Sequence, residues 1–167
     1  YTVKDLNKFD KIFTKYTQPD WARNLLDKAT DVTYKLDREQ RIVEVNAKFS
    51  EVFPKEKLYA IEEEIRAAYN LRLVRILPHY SPELFDMRYI PEVMKELNRV
   101  GAVSRGFFNE YDYEFDGNKL NIQISFTNGG VELLYCAKTN EIISNIIYSE
   151  FGKRYEVTLS EETACDM

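Results

Sequence analysis

The chain has 167 residues, 28 acidic against 23 basic, a net charge of -5, and 44% hydrophobic and 14% aromatic residues. Such a composition folds around a real core rather than staying disordered, and its acidic balance argues against a dominant nucleic-acid-binding surface while leaving room for a local basic patch. Cys136 and Cys165, one of them in the terminal tail, read as the reduced thiols of a cytosolic protein, and no apolar run reaches the length of a membrane span.

No charged, apolar and small-residue leader precedes Thr2, and a chain opening on Tyr1 without Met reads as a fragment of something larger or one lacking a disordered start. Residues 1–18 place Leu6, Phe9, Ile12, Phe13 and Tyr16 near helical spacing and predict an arm or short helix. Pro19-Asp20-Trp21 opens the next helix, with Trp21, Ala22, Leu25 and Leu26 on one stripe. Alternation then takes over. Val32, Tyr34 and Leu36 form one strand face, Asp37 to Gln40 turn, and Val43, Val45, Ala47 and Phe49 form the next. Pro54 restarts a helix with the stripe Leu58, Ile61, Ile65 and Tyr69, leaving Glu62, Glu63, Glu64 and Arg66 on the wet side. Asn70 ends it, and Leu71 to Leu77 is a strand.

Pro78-His79-Tyr80-Ser81-Pro82 blocks continuation, so residues 79–90 read as a linker before Pro91 starts a helix carrying Val93, Met94, Leu97 and Val100 up to Gly101. Tyr111, Tyr113 and Phe115 face one way on the next strand. Asp116-Gly117-Asn118 supplies a tight hairpin, and Leu120, Ile122, Ile124 and Phe126 line the returning strand. Gly129-Gly130 is a turn into a helical region divided near Ala137 to Asn140, whose second part carries Ile143, Ile147 and Phe151. Gly152 stops it, and Arg154 to Leu159 resumes alternation before a 161–167 tail.

The fold class is therefore α+β, two small αβ units, each a three-stranded sheet with helices on one face. The first, 19–78, runs helix, strand, strand, helix, strand; the second, 91–160, runs helix, strand, strand, helix, helix, strand. A shift of 82 positions puts Ile61 on Ile143, Ile65 on Ile147, Tyr69 on Phe151 and Asn70 on Gly152. This pattern fits an internal duplication, although any two amphipathic helices share such spacing. The order of the second unit is that of type II KH domains, and the first looks like a shortened version. A nucleic-acid-binding KH domain carries Gly-x-x-Gly between its paired helices; here that place reads Ala137-Lys138-Thr139-Asn140.

Chemistry-bearing patterns are sparse. His79 is the sole histidine and has no Cys or Asp cluster at ligand spacing, so it reads as a linker residue rather than a zinc ligand. The acids Glu62 to Glu64 and Glu161-Glu162 are consecutive, point apart and read as solvated faces. No phosphate loop, nucleophile elbow or Ser/His pair appears, so no catalytic, cofactor or metal site is expected.

The run Leu58 to Pro78, ending Tyr69-Asn70-Leu71-Arg72-Leu73-Val74-Arg75-Ile76-Leu77-Pro78 and continuing into His79-Tyr80, resembles the N-terminal region of PolC-type DNA polymerase III alpha subunits of Gram-positive bacteria. Tyr89-Ile90-Pro91, Asp116-Gly117-Asn118-Lys119-Leu120, Gly129-Gly130-Val131-Glu132-Leu133-Leu134 and Glu150-Phe151-Gly152-Lys153-Arg154 follow in the order that family shows, so the resemblance spans Phe9 to Glu162. It implies a parent that is a DNA-directed DNA polymerase with a 3'-5' exonuclease, whose catalytic domains lie C-terminal to this region. It also implies that this pair of domains is non-catalytic, the first similar to the alpha-binding domain of the clamp-loader tau subunit and the second to type II KH domains.

Two functions follow from the resemblance. One is a replisome protein-interaction module, with the clamp-loader tau subunit or another polymerase domain as partner, weak or no direct nucleic-acid binding, no membrane and a cytoplasmic location. The other is a KH-like nucleic-acid-binding module touching template or primer. Candidate contacts are Arg66, Arg72, Arg75, Lys153 and Arg154 as a basic strip, and Tyr80 and Phe85 in the aromatic linker; the N-terminal arm around Phe9, Phe13 and Tyr16 is a further one.

Overall fold

The computed structural model describes residues 7–100, 111–124 and 130–161. Leu6, Gly101, Phe126, Gly129, Glu162 and Cys165 lie outside them. The chain is divided into two compact units, Tyr1–Leu84 and Phe85–Met167.

In the first unit, α1 (Lys8–Ile12) and α2 (Asp20–Leu26) precede β1 (Ala29–Asp37), β2 (Ile42–Phe49), α3 (Lys55–Tyr69) and β3 (Leu73–His79). The sheet order is β1-β2-β3. The hairpin partners are antiparallel and the crossover through α3 returns β3 parallel to β2. Alternation on β2 buries Val43, Val45, Ala47 and Phe49, and α3 answers with Leu58, Ile61 and Ile65. Asn70 ends α3 in the left-handed region at φ 51, a conformation asparagine tolerates.

Several expectations need correction here. Trp21 does not share the buried stripe of Ala22, Leu25 and Leu26 and is 40% exposed. Tyr34 and Leu36 sit on the inward-facing register of β1, opposite Val45 and Val43, yet are 53% and 43% exposed, unlike Val74 and Ile76 on the opposite edge strand. Pro78 does not stop β3. It pairs with Ala47 in the ladder, which an edge strand permits because a missing N–H can face outward. Glu62 is not on a wet face: it is buried, and its carboxylate accepts from the Ile76 N–H at 2.7 Å. Ile76 lies on the other edge strand, so the acid supplies an acceptor that no neighbouring strand offers.

The arm belongs to this unit's core. Phe9, Phe13 and Tyr16 are buried, Phe13 meets Tyr69 edge-on at 5.8 Å, and the Tyr16 hydroxyl donates to Glu64 at 2.5 Å. Asn7 and Asp10 form a capping box on α1, and Arg23 from α2 closes on Asp10 at 2.8 Å. Burial works against the Asp10 carboxylate, but the Arg23 hydrogen bond, the Asn7 N–H and the Arg23 charge outweigh it and hold its pKa below the usual value. Burial, then the Glu64 hydrogen bond and charge, push the Tyr16 phenol well up.

In the second unit, α4 (Ile90–Val100), β4 (Tyr111–Asp116), β5 (Lys119–Ile124), α5 (Gly130–Cys136), α6 (Thr139–Phe151) and β6 (Glu156–Glu161) follow in the expected order. The sheet order β4-β5-β6 repeats the first unit's pattern, antiparallel then parallel. Leu120, Ile122 and Ile124 of β5 and Val157 and Leu159 of β6 are buried, together with Leu97 of α4, Leu134 of α5 and Ile143, Ile147 and Phe151 of α6. Gly152 ends α6 at φ 68, the same left-handed cap as Asn70. The residues aligned by the 82-position shift thus lie on α3 and α6 and at their caps, the helices that lead into the parallel strand of two sheets of the same connectivity.

Candidate functional site: an aromatic pocket on the second unit

Of residues 79–90, expected as a linker, His79 ends β3 and Ile90 opens α4, and the stretch between carries two short 3-10 turns, Pro82–Leu84 and Met87–Tyr89. Tyr80 is buried against Phe49 in the first unit, with ring centroids 6.3 Å apart, so its ring is a core group rather than a contact surface. Phe85 begins the second unit and stands at the centre of an aromatic cluster. Its ring meets Phe151 edge-on at 5.0 Å, Phe115 edge-on at 5.9 Å and Tyr155 at a tilt at 5.4 Å, while Phe115 and Tyr155 meet at 5.3 Å. Tyr89 backs the cluster against Phe151 at 4.9 Å, and its hydroxyl donates to the buried Glu150 carboxylate.

Over this cluster opens a pocket of about 360 Å³, lined by Phe85, Asp86, Met87, Phe115, Gly117, Lys153 and Tyr155. Each lining group arrives for a local reason. Asp86 caps the second 3-10 turn by accepting from the Arg88 N–H at 2.8 Å. Gly117 is the hairpin residue at φ 60, a conformation glycine adopts without steric cost. Lys153 follows the Gly152 cap, and its ammonium lies 5.7 Å from the Phe85 centroid, within cation–π reach.

The charges at the rim are unequal. Asp86 also takes Arg88 Nε and Nη2 at 3.1 Å each, and these hydrogen bonds, with the backbone one, hold its carboxyl below the usual range. Lys153 makes no ion pair within 4.0 Å among the described residues. Burial raises the Tyr155 phenol, whose hydroxyl makes no hydrogen bond among the described residues.

Of the basic residues expected to form a strip, three belong to the first unit and two to the second. Arg66 is tied to Glu63 and donates to the Leu71 carbonyl at 3.3 Å, closing the end of α3. Arg72 is exposed in the turn before β3, and Arg75 stands across the ladder from Glu44. Lys153 and Arg154 diverge despite being adjacent. Arg154 lines a different concavity of about 350 Å³ with Lys138, Glu141, Ile142, Ser144 and Asn145. There its guanidinium lies 4.0 Å from the Tyr148 ring centroid and donates to Asn145 at 3.0 Å. The structure therefore brings together only Phe85 and Lys153 from the expected set. It adds Phe115, Gly117 and Tyr155, which sequence reading treated as strand and hairpin residues; the aromatic at every second position of β4 was their one visible signal.

Among the described residues, no group of three or more His, Cys, Asp or Glu could hold a metal ion, and no helix is long and apolar enough to cross a membrane. His79 Nε2 lies 2.9 Å from Asn46 Oδ1. No protein-family model matches the chain, and no curated protein does. Among solved structures it aligns with the PrgH periplasmic domain at 15% identity and TM-score 0.28, over 87% of this chain and 66% of that one. A second alignment, to the periplasmic domain of the T3SS inner membrane protein PrgH from S. typhimurium, has 16% identity and TM-score 0.27 over 94% and 76%. At these scores the likeness carries neither fold nor function across.

Proposed function

We propose that this chain is the non-catalytic N-terminal region of a PolC-type replicative DNA polymerase III alpha subunit and acts as a protein-docking module of the replisome. The identity rests on the resemblance over Phe9 to Glu162; a polymerase and exonuclease parent and a cytoplasmic location go with it. The docking role rests on the pocket over Phe85. A ring that is to stack on a nucleobase needs an open face, and Phe85 is contacted by Phe115, Phe151, Tyr155 and the Lys153 ammonium. What remains open is an aromatic-walled recess of about 360 Å³, a feature that can take a buried anchor side chain of a protein partner.

The competing KH-like reading draws on one observation. Lys138, between α5 and α6 at φ 59, lines a concavity with Arg154, where a Gly-x-x-Gly clamp would grip a phosphate backbone. No such glycines stand there, Glu141 shares the site, and Arg154 is engaged with Tyr148. Fluorescence anisotropy with single-stranded DNA separates the two. Weak or no binding at physiological salt, together with capture of a clamp-loader or other polymerase subunit, supports docking. Micromolar binding that weakens with salt at a slope of about -0.7 per phosphate contact, and is lost on charge reversal at Arg75 and Arg154, overturns it.

A further inference from the structure

We infer that the Phe85 pocket accepts an apolar or aromatic side chain of a protein partner lying beside a carboxylate, that is, an acidic–hydrophobic segment of an extended or helical peptide; this rests on the docking reading. The walls argue for an apolar anchor. The pocket of about 360 Å³ has room for one large side chain and its neighbours, and its walls are Phe85, Phe115, Tyr155 and Met87, with Met87 itself exposed and adaptable.

The charge argues for an anion. Asp86 is the pocket's one acid, and Arg88 already occupies both of its oxygens, so it asks for no cation from a ligand. Lys153 is the lining group whose full charge has no acid partner among the described residues, and the Tyr155 hydroxyl of the same pocket can donate. An apolar group alone would leave that ammonium facing a drier mouth, whereas a carboxylate next to the anchor compensates it.

A nucleotide offers an aromatic base and a negative charge as well, but a phosphate carries more charge past Asp86 than a carboxylate does, so the nucleotide is the competing outcome of the test. The hairpin gives an independent handle. Gly117 lines the pocket, and an added Cβ there would meet nothing within 4 Å, so a side chain at this position projects into open space at the mouth. Asparagine tolerates the required positive φ better than other residues, which makes Gly117→Asn a blocking substitution that keeps the turn.

The test uses the whole 167-residue chain, labelled with nitrogen-15. It is titrated with acetyl-Glu-Phe-Asp-amide, with the isosteric neutral acetyl-Gln-Phe-Asn-amide, and with adenosine 5'-monophosphate, while backbone amide shifts are followed. We expect the acidic peptide to move the amides of Gly117, Lys153 and Tyr155 and to bind about two- to fivefold more tightly than the neutral one, the range of an exposed ion pair. Lys153→Gln should erase that preference, and Gly117→Asn should weaken both peptides. Equal binding of the two peptides, preferential binding of the nucleotide, shifts confined to other residues, or no binding would each overturn the proposal. Lys153→Gln leaves the hairpin unchanged, so the preference stays measurable even if the hairpin variant folds poorly. Because the probes are small peptides, the result is independent of replisome capture: a pocket that fails here leaves the docking role to other surfaces, and a chain that captures no replisome subunit can still show this selectivity.

Discussion

Ile147→Ala offers the most direct check on how the second unit is built. Ile147 lies on α6 at 0% exposure, under a sheet whose Leu120, Ile122 and Leu159 are likewise buried. Removing three carbons forfeits about 0.8 kcal/mol each in transfer free energy, about 2.4 kcal/mol together. If the surrounding helix and strands stay in place, a residual void of about 60 Å³ adds about 1.5 kcal/mol at roughly 24 cal/mol per Å³. The total approaches 4 kcal/mol for a rigid site and falls toward 2 kcal/mol if the walls relax inward. Ile147→Val, which removes one carbon, should cost about 0.5 to 1.5 kcal/mol, and the ratio of the two reports how far the site collapses. Urea unfolding followed by far-ultraviolet circular dichroism, with amide exchange at α6 as a local probe, gives both values. Ile65→Ala on α3 should behave alike in the first unit, since Ile65 holds the matching position at 0% exposure. Losses under about 1 kcal/mol for both alanine variants would mean that these helices do not present this face to their sheets.

Further outcomes follow from single contacts. Glu62→Ala should destabilise the first unit by about 2 to 4 kcal/mol, because the Ile76 N–H loses its charged acceptor in a buried setting; an unchanged urea midpoint would show that water replaces the carboxylate. Tyr135→Phe should cost about 1 to 2 kcal/mol and speed amide exchange at Leu159, since the hydroxyl both donates to the Leu159 carbonyl at 3.1 Å and accepts from its N–H at 2.7 Å on the free edge of β6; slow exchange in the variant would contradict this. Asp10 is depressed in the folded chain, so its contribution is present above its unfolded pKa of 3.8 and is lost as pH falls through the lower folded value. Asp10→Asn should therefore destabilise the first unit at neutral pH and make little difference once wild-type Asp10 is protonated. Parallel stability profiles across that range would refute the Arg23–Asp10 anchor.

The candidate site was only half legible in the chain. Phe85 and Lys153 could be flagged as an aromatic and a cation of the right kind, but the pocket needs Gly117 and Phe115 from a hairpin thirty or more residues away from either. Tyr80, which looked equivalent to Phe85, ended in the first unit's core. Tyr80 lies within the proline-rich stretch and Phe85 just past it, and local composition carries no information about which core claims each ring.

Periodicity by itself determined most of the helices and strands and the 116–118 hairpin. Alternation on Val43 to Phe49 and Leu120 to Ile124, helical spacing on α3 and α6, and left-handed-tolerant residues at Asn70 and Gly152 each depend on neighbours a few residues apart, so they can be read along one strand or one turn. Tertiary structure alone decided the fate of the groups that periodicity counts as polar or as breakers. Glu62 went inside because an edge-strand N–H required an acceptor, and Pro78 stayed in a strand because its partnerless side faces outward. Tyr34 and Leu36 stayed exposed on one edge strand while Val74 and Ile76 were buried on the other, a difference their alternation does not carry. Those outcomes depend on which strand lies at an edge and which helix crosses it, a relation between residues distant in sequence that no local window contains.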